Sequence, residues 1–120
     1  MARKSDREWF YDGIDLFNAG RFFESHEAWE HVWKRTHGDD KRFYQGLIQA
    51  AAAILHAQRG NRKGAMALYA KASEKLDGFH DVHMNLAVAE FRRALADFFA
   101  IALGAPRETP LPPPRLRRID

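Results

Sequence analysis

The chain has 120 residues, a net charge of +3 and no cysteine, which fits one domain with a single core and excludes disulfide scaffolds, cysteine-bearing zinc sites and thiol catalysis. With 46% hydrophobic and 29% charged residues it reads as globular rather than disordered. Its longest apolar runs, six residues at 50–55 and six at 98–103, fall short of the ~20 that a membrane span needs, and no signal-peptide-like stretch opens the chain, so a cytoplasmic protein with no membrane partner is expected.

Five helices are predicted in chain order. The first covers 6–18, with Ser5 or Asp6 as its cap, Gly20 as its stop, and Trp9, Phe10, Ile14 and Phe17 as its apolar stripe. The second covers 21–35. The polar stretch Thr36-His37-Gly38-Asp39-Asp40 then reads as a loop ending in an Asp cap. The third covers 41–58, the fourth 62–76 after a Gly60-Asn61 turn, and the fifth 81–103 with Leu86, Phe91, Leu95 and Phe98 inward. Gly104 and Pro106 stop it, and Pro110, Pro112, Pro113 and Pro114 predict an extended tail. No strand pattern is evident. The expected fold is an all-α compact bundle of about five antiparallel helices, with one domain at 1–104 and a Pro/Arg-rich tail at 105–120. That tail carries a net +2 of the total +3, so no folded basic face is expected, and no nucleic-acid partner.

The second helix holds polar residues where core belongs. At about 100° per residue, with Phe22 at zero, Trp29 falls near 340°, Trp33 near 20° and His26 near 40°. His26 then sits in an aromatic face, with Glu30 near 80° and Glu27 on the flank near 140°. A buried carboxylate needs a donor, and His26 lies four residues before Glu30. The third helix carries no charge from Phe43 to Gln58, yet Gln45, Gln49 and His56 line one stripe. In an antiparallel register about Gly38, Glu30 is level with Gln45 and His26 with Gln49, whereas His56 lies about 9 Å further along the axis. Gly46 and Ala50 are expected to admit Trp29 and Trp33. The candidate binding residues are therefore His26, Glu27, Glu30, Gln45, Gln49 and His56.

This cluster supports a structural network or a pocket for a small molecule. As a structural network it predicts a loss of about 1–3 kcal/mol for Glu30→Ala or Gln45→Ala. No catalytic residue, metal or cofactor is assigned. The run His26-Glu27-Ala28-Trp29-Glu30 lacks the H-E-x-x-H spacing of zinc sites, and glutamine is a poor ligand. One alternative is a hydrolase or metal-binding enzyme using His26 and Glu30, although no nucleophile accompanies them. Another is a helical-hairpin scaffold for a protein partner, like tetratricopeptide repeats, although the hairpin turns at Gly20 and Gly60 are 40 residues apart rather than about 34. His80 and His83 bracket the fourth turn and are expected in solvent. Oligomeric state is not specified by any of these features.

The stretch 17–34 (FNAGRFFESHEAWEHVWK) resembles the signature of the domain-of-unknown-function family 309. Its pattern is met by Gly20, Phe22, Phe23, His26, Glu27, Trp29, Glu30 and Trp33. The segment 43–56 (FYQGLIQAAAAILH), with Gly60-Asn61 and Gly64-Ala65, resembles the second half. The resemblance covers about 12–76. It implies a small helical bundle and a shared role for His26, Glu27, Glu30 and Gln45, but no activity.

Overall fold

Ser5 and Glu8 cap each other reciprocally: the Ser5 hydroxyl accepts from the Glu8 amide at 3.1 Å, and the Glu8 carboxylate accepts from the Ser5 amide. This starts α1 (Asp6–Asn18), and Gly20, at φ +80, turns the chain into α2 (Phe22–Trp33). Then come α3 (Gly38–Gln58), α4 (Arg62–Leu76), the strands β1 (Val82–His83) and β2 (Leu86–Ala87), and α5 (Val88–Ala102). The computed structural model describes residues 4–102 and 112–119.

The helical bundle is as expected, and α1 and α4 keep the predicted limits. Three elements differ. The α2 helix is shorter at both ends. The α3 helix begins at Gly38, with His37 in extended backbone before it, so Asp39 and Asp40 sit in its first turn rather than in a loop. There they face the positive end of the helix dipole. The predicted start of the fifth helix at 81 is replaced by a hairpin in which Val82 pairs with Ala87 and His83 with Leu86. Met84 and Asn85, at φ 48 and 60, form its two-residue turn. Strands of two residues are too short to show any alternation.

The predicted end of the fifth helix at 103, its Gly104 and Pro106 stop, the boundary at 104/105 and Pro110 lie outside the described residues. Residues 112–119 run across the hairpin and the end of α1. The Asn18 side chain donates to Leu116 O at 2.9 Å and accepts from Leu116 N at 2.8 Å. Ala87 N donates to Arg117 O, and Ile119 N to Asn85 O. Arg117 pairs with Glu90 at 2.9 Å, and Leu116 is buried.

The core is aromatic. Phe17 meets Phe22 and Phe91 edge-on, and Tyr69 stacks on Phe99. Trp29 is fully buried, and its indole N–H donates to Phe10 O at 3.1 Å. Gly13 makes room for that ring, because a Cβ there would lie 2.2 Å from Trp29 Nε1. Gly46 does not admit a tryptophan as expected. It faces α4, where a Cβ would meet Leu76 Cδ2 at 2.9 Å.

Gly13→Ala is expected to lower stability by about 1–3 kcal/mol through overpacking, despite its helix-propensity gain of ~1 kcal/mol. Urea denaturation measures this. A second prediction concerns Tyr44, which is 3% exposed. Desolvation first, then the Asp6 and Asp40 carboxylates, push its phenol pKa well up, against an opposite pull from Arg35. The unfolded chain releases this proton near pH ~10, while the folded chain still holds it. Stability is therefore untouched by this group at lower pH and falls as pH rises past ~10, by up to about 1.4 kcal/mol per pH unit. Tyr44→Phe should flatten that alkaline slope in denaturation series from pH ~9 to ~11.

Candidate functional site

The inward residues of α2 are Phe22, Ser25, Ala28, Trp29 and Val32. Their stripe is centred about 100°, one residue step, away from His26. The expected aromatic face therefore divides: Phe22 and Trp29 are core, whereas His26 and Trp33 lie on a flank facing α3. Ser25 explains the turn. It is fully buried because its hydroxyl donates to Phe22 O at 2.9 Å, so it sits inward without a missing bond.

On that flank His26 Nε2 lies 3.5 Å from Glu30 Oε1, with side-chain exposures of 27% and 47%. The pair is half-exposed rather than enclosed by indoles. Phe23, itself exposed, lies parallel to the imidazole. Between α2 and α3, Glu30, Trp33, Gln45, Ile48 and Gln49 line a cleft of about 130 Å³. The structure thus brings Glu30, Gln45 and Gln49 together in the expected register. His26 borders the group through Glu30. Glu27 is exposed and lines a different groove. His56 lies at the far end of α3, its Nδ1 2.9 Å from Asn61 Nδ2.

Three buried polar atoms on this flank have no partner among the described residues: Trp33 Nε1, Gln49 Oε1 and His26 Nδ1. Buried polar atoms are nearly always paired, so three together mark the place. The Trp33 indole N–H is the feature missed by sequence reasoning, which treated tryptophan only as apolar bulk. The ammonium of Lys41 lies over its ring at 4.6 Å.

A wider groove of about 790 Å³ separates α1 from α2, lined in part by Trp9, Asp12, Asp15, Glu27 and His31. The Trp9 and His31 rings meet at 4.2 Å, and Lys4 holds Asp12 at 2.5 Å. The sequence signal was there: Glu24, Glu27, His31 and Lys34 recur at three- and four-residue steps along one polar edge of α2. His83 departs from its expected solvated place. Its Nε2 lies 3.0 Å from Asp40 Oδ1, and its ring packs on Phe43 and Phe79. Among the described residues no group of three or more His, Asp or Glu is placed to hold a metal ion. No helix there is long and apolar enough to cross a membrane.

The model of the family described as Domain of unknown function (DUF309) matches residues 10–68. The match takes in just under half of the chain, which is similar to that family over this span. That span runs from the first core residue of α1 into α4 and contains the whole α2–α3 cleft. The chain is also 37% identical over 73 residues to the uncharacterized protein YpuF of Bacillus subtilis (strain 168), a match that covers 59% of this chain and 42% of YpuF. It therefore spans less than half of that relative's length. Neither description states an activity.

Within the matched segment, the exposure of Glu30 lowers the cost expected for its loss. A half-exposed His–Glu pair contributes no more than about 1 kcal/mol. Glu30→Ala should leave chemical-denaturation stability within that margin, below the 1–3 kcal/mol expected for a buried network.

Proposed function

We propose that this protein is a small ligand-binding module and that the α2–α3 cleft is its site. The reading rests on one observation: an unpartnered donor, Trp33 Nε1, and an unpartnered acceptor, Gln49 Oε1, border the same small cleft. A volume of about 130 Å³ holds about four water molecules at ~30 Å³ each. It fits the polar head of a molecule, with the remainder outside. Such a head accepts from the Trp33 N–H and donates to Gln49 and to the Glu30 carboxylate at the rim. Gln45 offers an amide that does either. A cytoplasmic location and freedom from nucleic acid belong to the same proposal.

The competing reading is a polar network that fixes how α2 packs on α3. Gln49→Met separates the two, because methionine keeps the volume and removes the unmatched acceptor. A group held for a ligand and not for stability gives no loss when removed, and a gain of up to about 1 kcal/mol is expected in thermal and urea denaturation. A loss of about 1–3 kcal/mol would instead show that Gln49 is bonded in the folded protein and would assign the cluster to packing.

A further inference from the structure

A second cavity, of about 390 Å³, lies where α1, the end of α2, the start of α3 and the hairpin turn meet. It shares no lining residue with the α2–α3 cleft. Its size falls within the ~300–1,000 Å³ usual for small-molecule sites. Phe10, Val32 and Met84 give it apolar walls.

The polar groups are specific. Tyr44 lines the cavity, is 3% exposed, and its hydroxyl makes no hydrogen bond among the described residues. The ring is buried, but the hydroxyl oxygen is not sealed in the core and opens onto the cavity, where a ligand can meet it. Tyr11, beside it, accepts from Asn85 Nδ2 at 3.2 Å, which leaves the Tyr11 O–H free to donate. Asp6 and Asp40 also line the cavity. Each uses only Oδ1 in the structure, Asp6 toward Arg35 and Asp40 toward His83. Each keeps a second carboxylate oxygen to accept with. Desolvation first, and then both carboxylates, disfavour ionisation of Tyr44, so the phenol remains a donor. The cavity therefore presents O–H donors beside carboxylate acceptors over an apolar wall.

We propose that this cavity is a binding site for a small molecule bearing an uncharged amide attached to an apolar group. The amide carbonyl takes the phenol donors, its N–H groups go to Asp6 or Asp40, and the apolar group lies on Phe10, Val32 and Met84. Arg7 also lines the cavity, but two carboxylates line it against that one cation, so a carboxylate or phosphate is disfavoured. A bare ammonium would leave the phenol donors unanswered. The turn supports the assignment: a methionine at positive φ is uncommon, and here it brings Met84 to the cavity and Asn85 to Tyr11.

The test is an NMR titration of the full chain with N-acetyl-leucinamide. Saturable shifts are expected at Tyr11, Tyr44 and Asn85. Tyr44→Phe, which keeps the ring and removes the hydroxyl, should weaken binding about 3–10-fold, the effect of one lost neutral hydrogen bond. Tyr11→Phe gives the same readout should Tyr44→Phe fail to fold. N-acetyl-leucine, with its free carboxylate, should bind at least about 10-fold more weakly. Non-saturable shifts, shifts confined to the α2–α3 cleft, unchanged affinity in the phenylalanine variant, or equal binding of N-acetyl-leucine would each overturn the proposal. Stability of Gln49→Met has no bearing on this result, so the two sites stand or fall separately.

Discussion

The seating of the Trp29 indole on Gly13 determines how the first two helices meet. The ring lies where any side chain at Gly13 would be, and its N–H reaches a carbonyl of the same helix, Phe10 O. Shape and hydrogen bond together permit one rotation of α2. Once Trp29 points at α1, residues three and four positions away follow it inward, Ser25 and Val32 among them. His26, Glu30 and Trp33 are then left on the flank toward α3, half-exposed around a cleft. The polar cluster is a consequence of an aromatic contact on the other side of the same helix.

The limits of α1 and α4 were legible because they depend on local chemistry. The cap at Ser5, the stop at Gly20 and the Gly60-Asn61 turn are signals read within a few residues. What the sequence could not show was long-range. Gly46 was expected to receive a tryptophan and receives Leu76 of α4. The hairpin at 82–87 was hidden because its two-residue strands have no period, and because Leu86 is buried whether it begins a helix or ends a strand. Its third partner, the segment around Arg118, lies about 30 residues further along the chain.

The candidate site was legible in part for the same reason. The antiparallel register of α2 and α3 follows from a short connection, so Glu30, Gln45 and Gln49 were placed together correctly. The depth of the group was misjudged. A helical wheel weighs all aromatics as inward, but Trp33 and His26 are amphipathic and accept a flank. Ser25, polar by name, is buried because it satisfies itself on Phe22 O. Hydrophobic labels alone put α2 about one residue out of true.

The two cavities differ in what builds them. The α2–α3 cleft lies wholly within residues 10–68, the span similar to DUF309, and needs only the packing of adjacent helices. The cavity at Tyr44 also needs Met84 and Asn85, which lie beyond it. Two strands of two residues are not stable alone. They are held here by the His83–Asp40 contact on one side and by the C-terminal segment on the other, where Ile119 N donates to Asn85 O and Leu116 is anchored through both backbone groups to Asn18. Arg118 lies over the Tyr11 ring at 3.9 Å, on the residue that Asn85 also holds. The shape of this cavity is therefore set by the end of the chain as much as by its helices. A protein with the same residues 10–68 and a different C-terminal half would keep the cleft and lose the hairpin wall of the cavity.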